Sequence, residues 1–508
     1  MIALNLKKQL PLFLFVTVAA LFIGIFFTAV DFATAPFSGV KDFIELFSQW
    51  LVWLLVIWLF IYLSAIFKYI FALFFPVLVF FSSILAYFRY TMHATFTSMM
   101  LDAALDNDTQ ITAELVSVKL ILFVACCFLA ALAFVIYRFK KITVHYALLH
   151  LVLSVFLAGI TVNMPRVRRS LPARIPFNLY FVTTRYYAEK KEIQQDRPPL
   201  YENTVCTEEE DLVVLFILGE ALRSDHLGLN GYDRNTTPYL NQEDIISFQH
   251  IYSEYTHTNA SVPHIMTRAD SITPERAYTE RSFVDLFKHC GFYTAWLANQ
   301  ESAKPYVYFM HECDTLMHVN INKSSYVFDK WTDGDLLPLV DTCLQKNNRQ
   351  KMLILHTIGS HWYYNSHYPD DFQVFNPIVK SKIISASSKE EMINSYDNTI
   401  LYTDFFIYSI IERLRDKNAV LIYLSDHGES FGENGVWLHA IDSPPVHRPA
   451  CFVWMSPAYK TAHPDKYQVL QENKWKTYRT DFLFHTIALA AGITGGVVDE
   501  QMSLFAKE

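Results

Sequence analysis

The hydrophobic positions of this chain fall into two regimes. Before residue 165 they run almost unbroken through five stretches, 9–30, 43–66, 69–88, 115–137 and 145–162. A helix needs about 20 consecutive apolar residues to cross a bilayer, so the pattern predicts five membrane-spanning helices. After residue 208 the apolar runs are short and alternate with amphipathic stretches. Runs 211–219, 292–298, 351–360, 419–425 and 450–455 predict strands; 280–289, 389–397 and 403–415 predict helices. Strands alternating with helices imply a doubly wound α/β domain on a mostly parallel sheet. The expected division is a transmembrane domain over 1–164, an interfacial linker over 165–207, rich in arginine and aromatic residues, and an outer α/β domain over 208–508.

Charge orients these segments. Lys7, Lys8, Lys68, Arg138, Lys140 and Lys141 fall in loops on one side, whereas the other side carries Lys41 and Arg89 among Asp102, Asp106, Asp108 and Glu114. Basic loops stay in the cytoplasm, which puts the N-terminus inside and everything after about residue 164 outside. Arg166, Arg168, Arg169 and Arg174 run against this, but they precede a long translocated domain, where the bias is weak. Ala33-Thr34-Ala35 has the form of a signal-peptidase site. The run before it is too long for a signal sequence and Pro36 would follow the cut, so the reading is an anchor.

The net charge of −8, with no basic, aromatic-laced face, argues against nucleic acid as a partner. Cys126 and Cys127 lie inside the fourth apolar run. The five outer cysteines, Cys206, Cys290, Cys313, Cys343 and Cys451, are odd in number and widely spaced, which is neither a disulfide framework nor a cysteine zinc site. One or two disulfides fit an oxidising compartment, and the sequence cannot pair them.

The candidate chemistry sits where strands end. Run 211–219 leads into Glu220, run 351–360 into His361, and run 419–425 into Asp426-His427-Gly428-Glu429. Ligands of parallel α/β sheets collect beyond the carboxyl ends of the strands, so carboxylates and imidazoles delivered there predict a metal site. Gly428 would permit the sharp turn that lets Asp426 and His427 face one cation. His439 lies twelve residues past His427 and could fold back over the site. The segment Thr256-His-Thr258-Asn-Ala-Ser261-Val-Pro263 would offer backbone N–H groups and a hydroxyl if it opened a helix. Spacing alone leaves the nucleophile open among Thr256, Thr258 and Ser261.

Taken together, these segments resemble the bacterial phosphoethanolamine transferases of the alkaline phosphatase superfamily, which include lipid A-modifying and mobile colistin-resistance enzymes. The likeness is carried by Gly219-Glu220-Ala-Leu-Arg223-Ser-Asp-His226, Asn230-Gly-Tyr-Asp-Arg234-Asn-Thr-Thr-Pro238, Thr256-x-Thr258-x-x-Ser261-Val-Pro263, His356-Thr-Ile-Gly-Ser-His361, Ser425-Asp-His-Gly-Glu-Ser430 and Glu433-Asn-Gly-x-x-Leu-His439, in order. It implies an alkaline-phosphatase-like domain behind five spans in the bacterial inner membrane. It further implies Thr258 as nucleophile and Glu220, Thr258, Asp426 and His427 as ligands of one tight zinc. His361 and His439 would lie near the phosphate or a second zinc, and Asn299, Gln300 and Lys304 in the stretch that contacts the lipid headgroup. The implied donor is phosphatidylethanolamine and the implied acceptor an envelope glycan such as lipid A or lipopolysaccharide core. Glu254 and His264 stand where many relatives carry cysteines, a departure from the heavily disulfide-bonded subgroup.

Three rival readings carry their own signatures. A sulfatase would need a cysteine or serine in a Cys/Ser-x-Pro-x-Arg segment, which the Thr258 region lacks. A phosphoglycerol transferase would use phosphatidylglycerol with Mn²⁺ or Mg²⁺. A transporter or ligand sensor would interrupt its spans with polar residues, and these are few.

Overall fold

The computed structural model describes residues 6–105, 117–206, 209, 211–324, 328–439 and 441–507. Two compact units divide the chain: Met1–Tyr186 with Asn322–Phe328 and Lys380–Ala386, and Tyr187–Ile321 with Asp329–Val379 and Ser387–Glu508. The boundary after Tyr186 falls inside a helix, α6 (Asn178–Ile193), within the segment read from sequence as a linker.

In the first unit the unbroken apolar runs become long helices: α1 (Leu6–Ile23, continued by a π-helical turn Gly24–Thr28), α2 (Gly39–Ala65), α3 (Lys68–Met92), α4 (Val118–Lys141) and α5 (Ala147–Asn163). Among the described residues, four helices are long and apolar enough to cross a membrane. A fifth crossing is reached only if α5 counts together with the helix that follows it at a 74° bend. The start of the fourth run, Leu115 and Val116, and Asp106, Asp108 and Glu114 of the preceding loop lie outside the described residues. Apolar helices gain little from one another in lipid, so buried polar groups supply much of the specificity. His150 of α5 bonds Gln9 of α1 at 2.9 Å and Tyr62 of α2 through its other nitrogen. Arg138 of α4 donates to the carbonyls of Ala65, Ile66 and Ile142, so its charge is met by helix C-termini.

The second unit is organised on one mixed sheet of seven strands. In chain order they are β1 (Leu212–Gly219), β2 (Ile245–Ser247), β3 (Tyr293–Ala298), β4 (Thr315–His318), β5 (Lys351–His356), β6 (Asn418–Ser425) and β7 (Cys451–Met455). Their spatial order is β2-β7-β6-β1-β5-β3-β4. Strands β6, β1, β5, β3 and β4 pair in parallel, and β7 runs antiparallel to both β6 and β2. The expected parallel core is present, but run 450–455 enters it in the opposite sense. Strands β1 and β5 are buried at every position, as a strand covered on both faces must be. This is why they read as continuous apolar runs rather than alternating ones.

Sequence reading extended the 351–360 strand to Ser360, whereas β5 ends at His356. The two helices expected over 389–397 and 403–415 are one, α8 (Lys389–Leu414), opened by a capping box between Ser388 and Glu391. Two further helices matter below: α7 (Thr258–Met266) and α9 (Phe482–Ala490). A disulfide joins Cys206 to Cys290, and Cys126, Cys127, Cys313, Cys343 and Cys451 are free.

Candidate active site

The parallel strands deliver their following residues to one end of the sheet, and the donors gather there. Glu220 follows β1 directly; Asp426 and His427 follow β6, the neighbouring strand. All three are buried. One atom from each lies within 4.8 Å of the other two, and the same holds for Glu220, His361 and His439. The two groups share Glu220. His427 and His439 bring their ring centroids to 4.5 Å, and His361 and His439 to 6.0 Å.

Local backbone explains how neighbouring residues can point at one place. Gly428 was expected to permit a sharp turn, and it does not take the left-handed conformation. What requires glycine there is close approach instead: an added Cβ would stand 2.3 Å from the Pro445 carbonyl oxygen. Gly359, in the loop between β5 and His361, does take a left-handed conformation (φ +48°), and its Cβ would stand 2.9 Å from the Glu220 carbonyl oxygen. Loop 357–361 therefore folds back against Glu220, which brings His361 to the site from a loop rather than from the strand end.

Thr258 is the first residue of α7, with His257 in extended conformation before it. Its hydroxyl donates to Glu220 Oε2 at 2.9 Å. Ser261 is buried and its Oγ faces the Tyr255 carbonyl at 3.5 Å. Of the three hydroxyls that spacing left open, Thr258 is the one bonded to a site carboxylate among the described contacts.

The headgroup stretch divides. Gln300 Nε2 donates to Glu220 Oε2 and to the Thr357 carbonyl, both at 2.8 Å. Asn299 is buried, its amide donating to Asp333 Oδ1 at 2.9 Å while its oxygen accepts from Trp331 Nε1 and Asn320. Lys304 is exposed and stands 4.0 Å from Glu192. Glu254 pairs with Arg479, and His264 Nε2 bonds Tyr255 OH at 2.8 Å.

The donor set passes a direct test for a cation. Glu220 Oε1, Asp426 Oδ2 and His427 Nε2 are buried and make no hydrogen bond. Nε2 stands 3.4 Å from each of the two carboxylate oxygens. Buried polar atoms without partners are costly, and three that converge are a set that one metal ion could satisfy together. The remaining atoms are already fixed: His427 Nδ1 donates to the Gly428 carbonyl at 2.7 Å, and Asp426 Oδ1 accepts from the amides of Ala221 and His427 at 3.1 and 2.8 Å. Each ligand is thus oriented with one free atom inward.

A family model described as Sulfatase matches residues 213–493. The chain belongs to the sulfatase family. Phosphoethanolamine transferase EptA of Salmonella typhimurium is 33 % identical over 304 residues, 56 % of this chain and 53 % of that protein. Kdo(2)-lipid A phosphoethanolamine 7''-transferase of Escherichia coli is 35 % identical over 261 residues, 49 % of this chain and 45 % of its own length. The chain thus spans about half the length of these curated relatives. The integral membrane lipooligosaccharide phosphoethanolamine transferase A (EptA) of Neisseria meningitidis shares the fold, with a TM-score of 0.54, 23 % identity and coverage of 96 % of this chain and 97 % of that one.

Electrostatics give this sulfatase-family site its polarity. Burial opposes charge on His427, yet the Asp426 and Glu220 carboxylates push its imidazole up to about 10. Burial and the Glu220 charge push Asp426 up to about 6. Glu220 would rise through burial, but the His427 imidazole 3.4 Å away, with those of His361 and His439, holds it well below the usual range.

Two contributors gave no chemical signal in the sequence. Asp333, buried, accepts from the Ile358 and Gly359 amides at 2.8 and 2.9 Å as well as from Asn299, which pins loop 357–361. Arg223 was visible within a motif but without a role.

Proposed function

We propose that this chain is a zinc-dependent phosphoethanolamine transferase of the bacterial inner membrane. It takes phosphoethanolamine from phosphatidylethanolamine and passes it to an envelope glycan such as lipid A or lipopolysaccharide core. Five spans with the N-terminus in the cytoplasm would leave the α/β unit, residues 208–508 in the sequence division, in the periplasm. The Cys206–Cys290 disulfide suits that oxidising compartment. The two curated relatives, named as phosphoethanolamine transferases, support the reaction class.

The observation that carries the reading is the Thr258 hydroxyl, 2.9 Å from a carboxylate that also belongs to the unpaired donor cluster. Glu220, Asp426 and His427, with the Thr258 oxygen, are the residues that would hold one zinc, a set of oxygen and nitrogen donors that zinc accepts. When bound, zinc supplies the positive charge that lowers the pKa of a hydroxyl at the site. Thr258 Oγ then attacks the phosphorus of the donor lipid, its proton passing toward Glu220 Oε2. The bond from phosphorus to the glycerol oxygen breaks, diacylglycerol leaves with a proton, and phosphoethanolamine stays on Thr258. An acceptor oxygen then attacks the same phosphorus, the bond from phosphorus to Thr258 Oγ breaks, and the acceptor hydroxyl's proton returns to Thr258 Oγ. His361 and His439 stand beside Glu220 and can hydrogen-bond the phosphoryl oxygens as charge builds on them.

Mass spectrometry of envelope glycolipids from cells with and without the chain tests this. A phosphoethanolamine unit should appear with the native chain and be absent with Thr258→Ala. If no glycan gains the unit while the protein is expressed in the membrane, the assignment fails.

A further inference from the structure

Arg223 lies three residues beyond Glu220 and contributes nothing to the donor set, yet it is almost fully buried and its guanidinium makes four hydrogen bonds. Nε and Nη2 donate to the Asp225 carboxylate at 2.9 and 2.7 Å, and Nη1 donates to Glu433 Oε1 at 2.8 Å and to the Glu429 carbonyl at 3.1 Å. The Phe431 ring lies 5.4 Å from the guanidinium carbon. Glu433 uses its second oxygen to accept from the Phe431 amide at 2.5 Å. These contacts tie the segment after β1 to a small hairpin, Ser430–Phe431 paired with Trp437–Leu438, and the next residue is His439.

His439 has little of its own to fix it: its described hydrogen bond, to Glu429, is 3.5 Å long. The hairpin must place it, and the hairpin is not self-sufficient. Asn434 and Leu438 carry positive φ (52° and 63°), as do Gly432 and Gly435. Non-glycine residues hold such conformations only when surrounding contacts over-determine them. Arg223 and Glu433 supply such contacts here, beside the hairpin's own ladder and the His226 and Tyr396 rings packed on Phe431.

We propose that Arg223 and Glu433 are positioning residues, an ion pair that sets where His439 stands against Glu220 and His361 and so governs the step in which His439 takes part. This rests on the transferase reading for its kinetic consequence, though not for its structural one. The alternative is a buried ion pair that merely stabilises the fold.

Removing Arg223 would leave Asp225 and Glu433 without their counter-charge and risks misfolding. Glu433 is only partly buried, so the test uses Glu433→Ala, Glu433→Gln, His439→Ala and the Glu433→Ala/His439→Ala double variant, each as full-length, zinc-loaded protein in detergent micelles. Outer partners of a metal site typically contribute 10–100-fold. Glu433→Ala should therefore lower kcat about 10–100-fold with KM for phosphatidylethanolamine little changed, and Glu433→Gln should restore most of it. The double variant should be no slower than His439→Ala alone. Amide hydrogen exchange should accelerate across residues 429–439 in Glu433→Ala and stay unchanged in the central strands. Native exchange at 429–439 in Glu433→Ala, or full additivity in the double variant, overturns the proposal. If the native enzyme transfers nothing, the transferase reading fails, and the exchange measurement alone decides whether the pair pins the hairpin.

Discussion

Glu220 has both carboxylate oxygens committed in different directions. Oε2 accepts from Thr258 and Gln300, which leaves Oε1 turned toward His427 Nε2. The Gln300 amide therefore acts on the Glu220 carboxylate in this geometry: without it the carboxyl can rotate and the unpaired oxygen loses its aim. Gln300→Ala should weaken zinc binding by about 10–100-fold, read by competition with a chromophoric chelator; native affinity would refute the orienting role. Gly428 makes a second prediction at this scale. A methyl group there would meet backbone, the Pro445 carbonyl oxygen at 2.3 Å, which cannot move aside as a side chain can. Gly428→Ala should cost roughly 1–3 kcal/mol, measured by thermal unfolding, and reduce zinc occupancy along with it.

Among elements, α8 shows why polar residues misled the pattern. Asp397, Asn398 and Asp404 lie in or beside the gap 398–402 that the sequence reading left between two helices. Each is buried and spent on a neighbour. Asp397 accepts from His226, Tyr232 and Arg234, Asn398 caps residues 374–375, and Asp404 accepts from the amides of Tyr239 and Leu240 at 2.9 Å. The helix thus anchors the loops that follow β1. Burial pushes the Asp404 carboxyl up to about 7, against its usual 3.8. A folded pKa above the unfolded one means that ionisation costs the folded state; the contribution is complete below about pH 4 and lost as pH rises to about 7. Asp404→Asn keeps an acceptor without the charge. The variant should gain stability relative to the native chain between pH 4 and 7 and hold that gain above it. A pH-independent difference in melting temperature would contradict the assignment. The short strands β2 and β4 were missed because three or four half-buried residues carry too little periodicity to register.

At the scale of the molecule, the Cys206–Cys290 bond closes a loop across 84 positions. A crosslink of that span restricts the unfolded chain, worth about 3–5 kcal/mol. Cys206→Ser/Cys290→Ser, or reduction of the native chain, should lower the melting temperature of the second unit, with intact mass confirming the bond beforehand. Equal melting temperatures in oxidised and reduced protein would show that it contributes nothing. The first unit carries its own long-range ties: Lys382 donates its amide to Pro36 and Thr95 donates to Asn322. Ile383 packs with Ala35 and Leu46. Segments distant in sequence thus complete the apolar unit, which no hydropathy pattern announces.

The sequence by itself determined what depends on neighbouring positions: apolar helices long enough for a membrane, buried parallel strands, and the types of residue waiting at their ends. Its motif order also marked Thr258, Glu220, Asp426, His427, His361 and His439 before any distance was known, and the fold brings these six together. The tertiary structure alone decided which oxygen of Glu220 is free, that Asn299 is enclosed while Gln300 touches the site carboxylate, that β7 runs backward, which cysteines pair, and that Arg223 reaches the hairpin of His439. The division has one physical cause. Periodicity and side-chain chemistry are carried by adjacent residues. Orientation and pairing are set by packing between segments far apart in the chain, where several local solutions are equally good until the whole fold selects one.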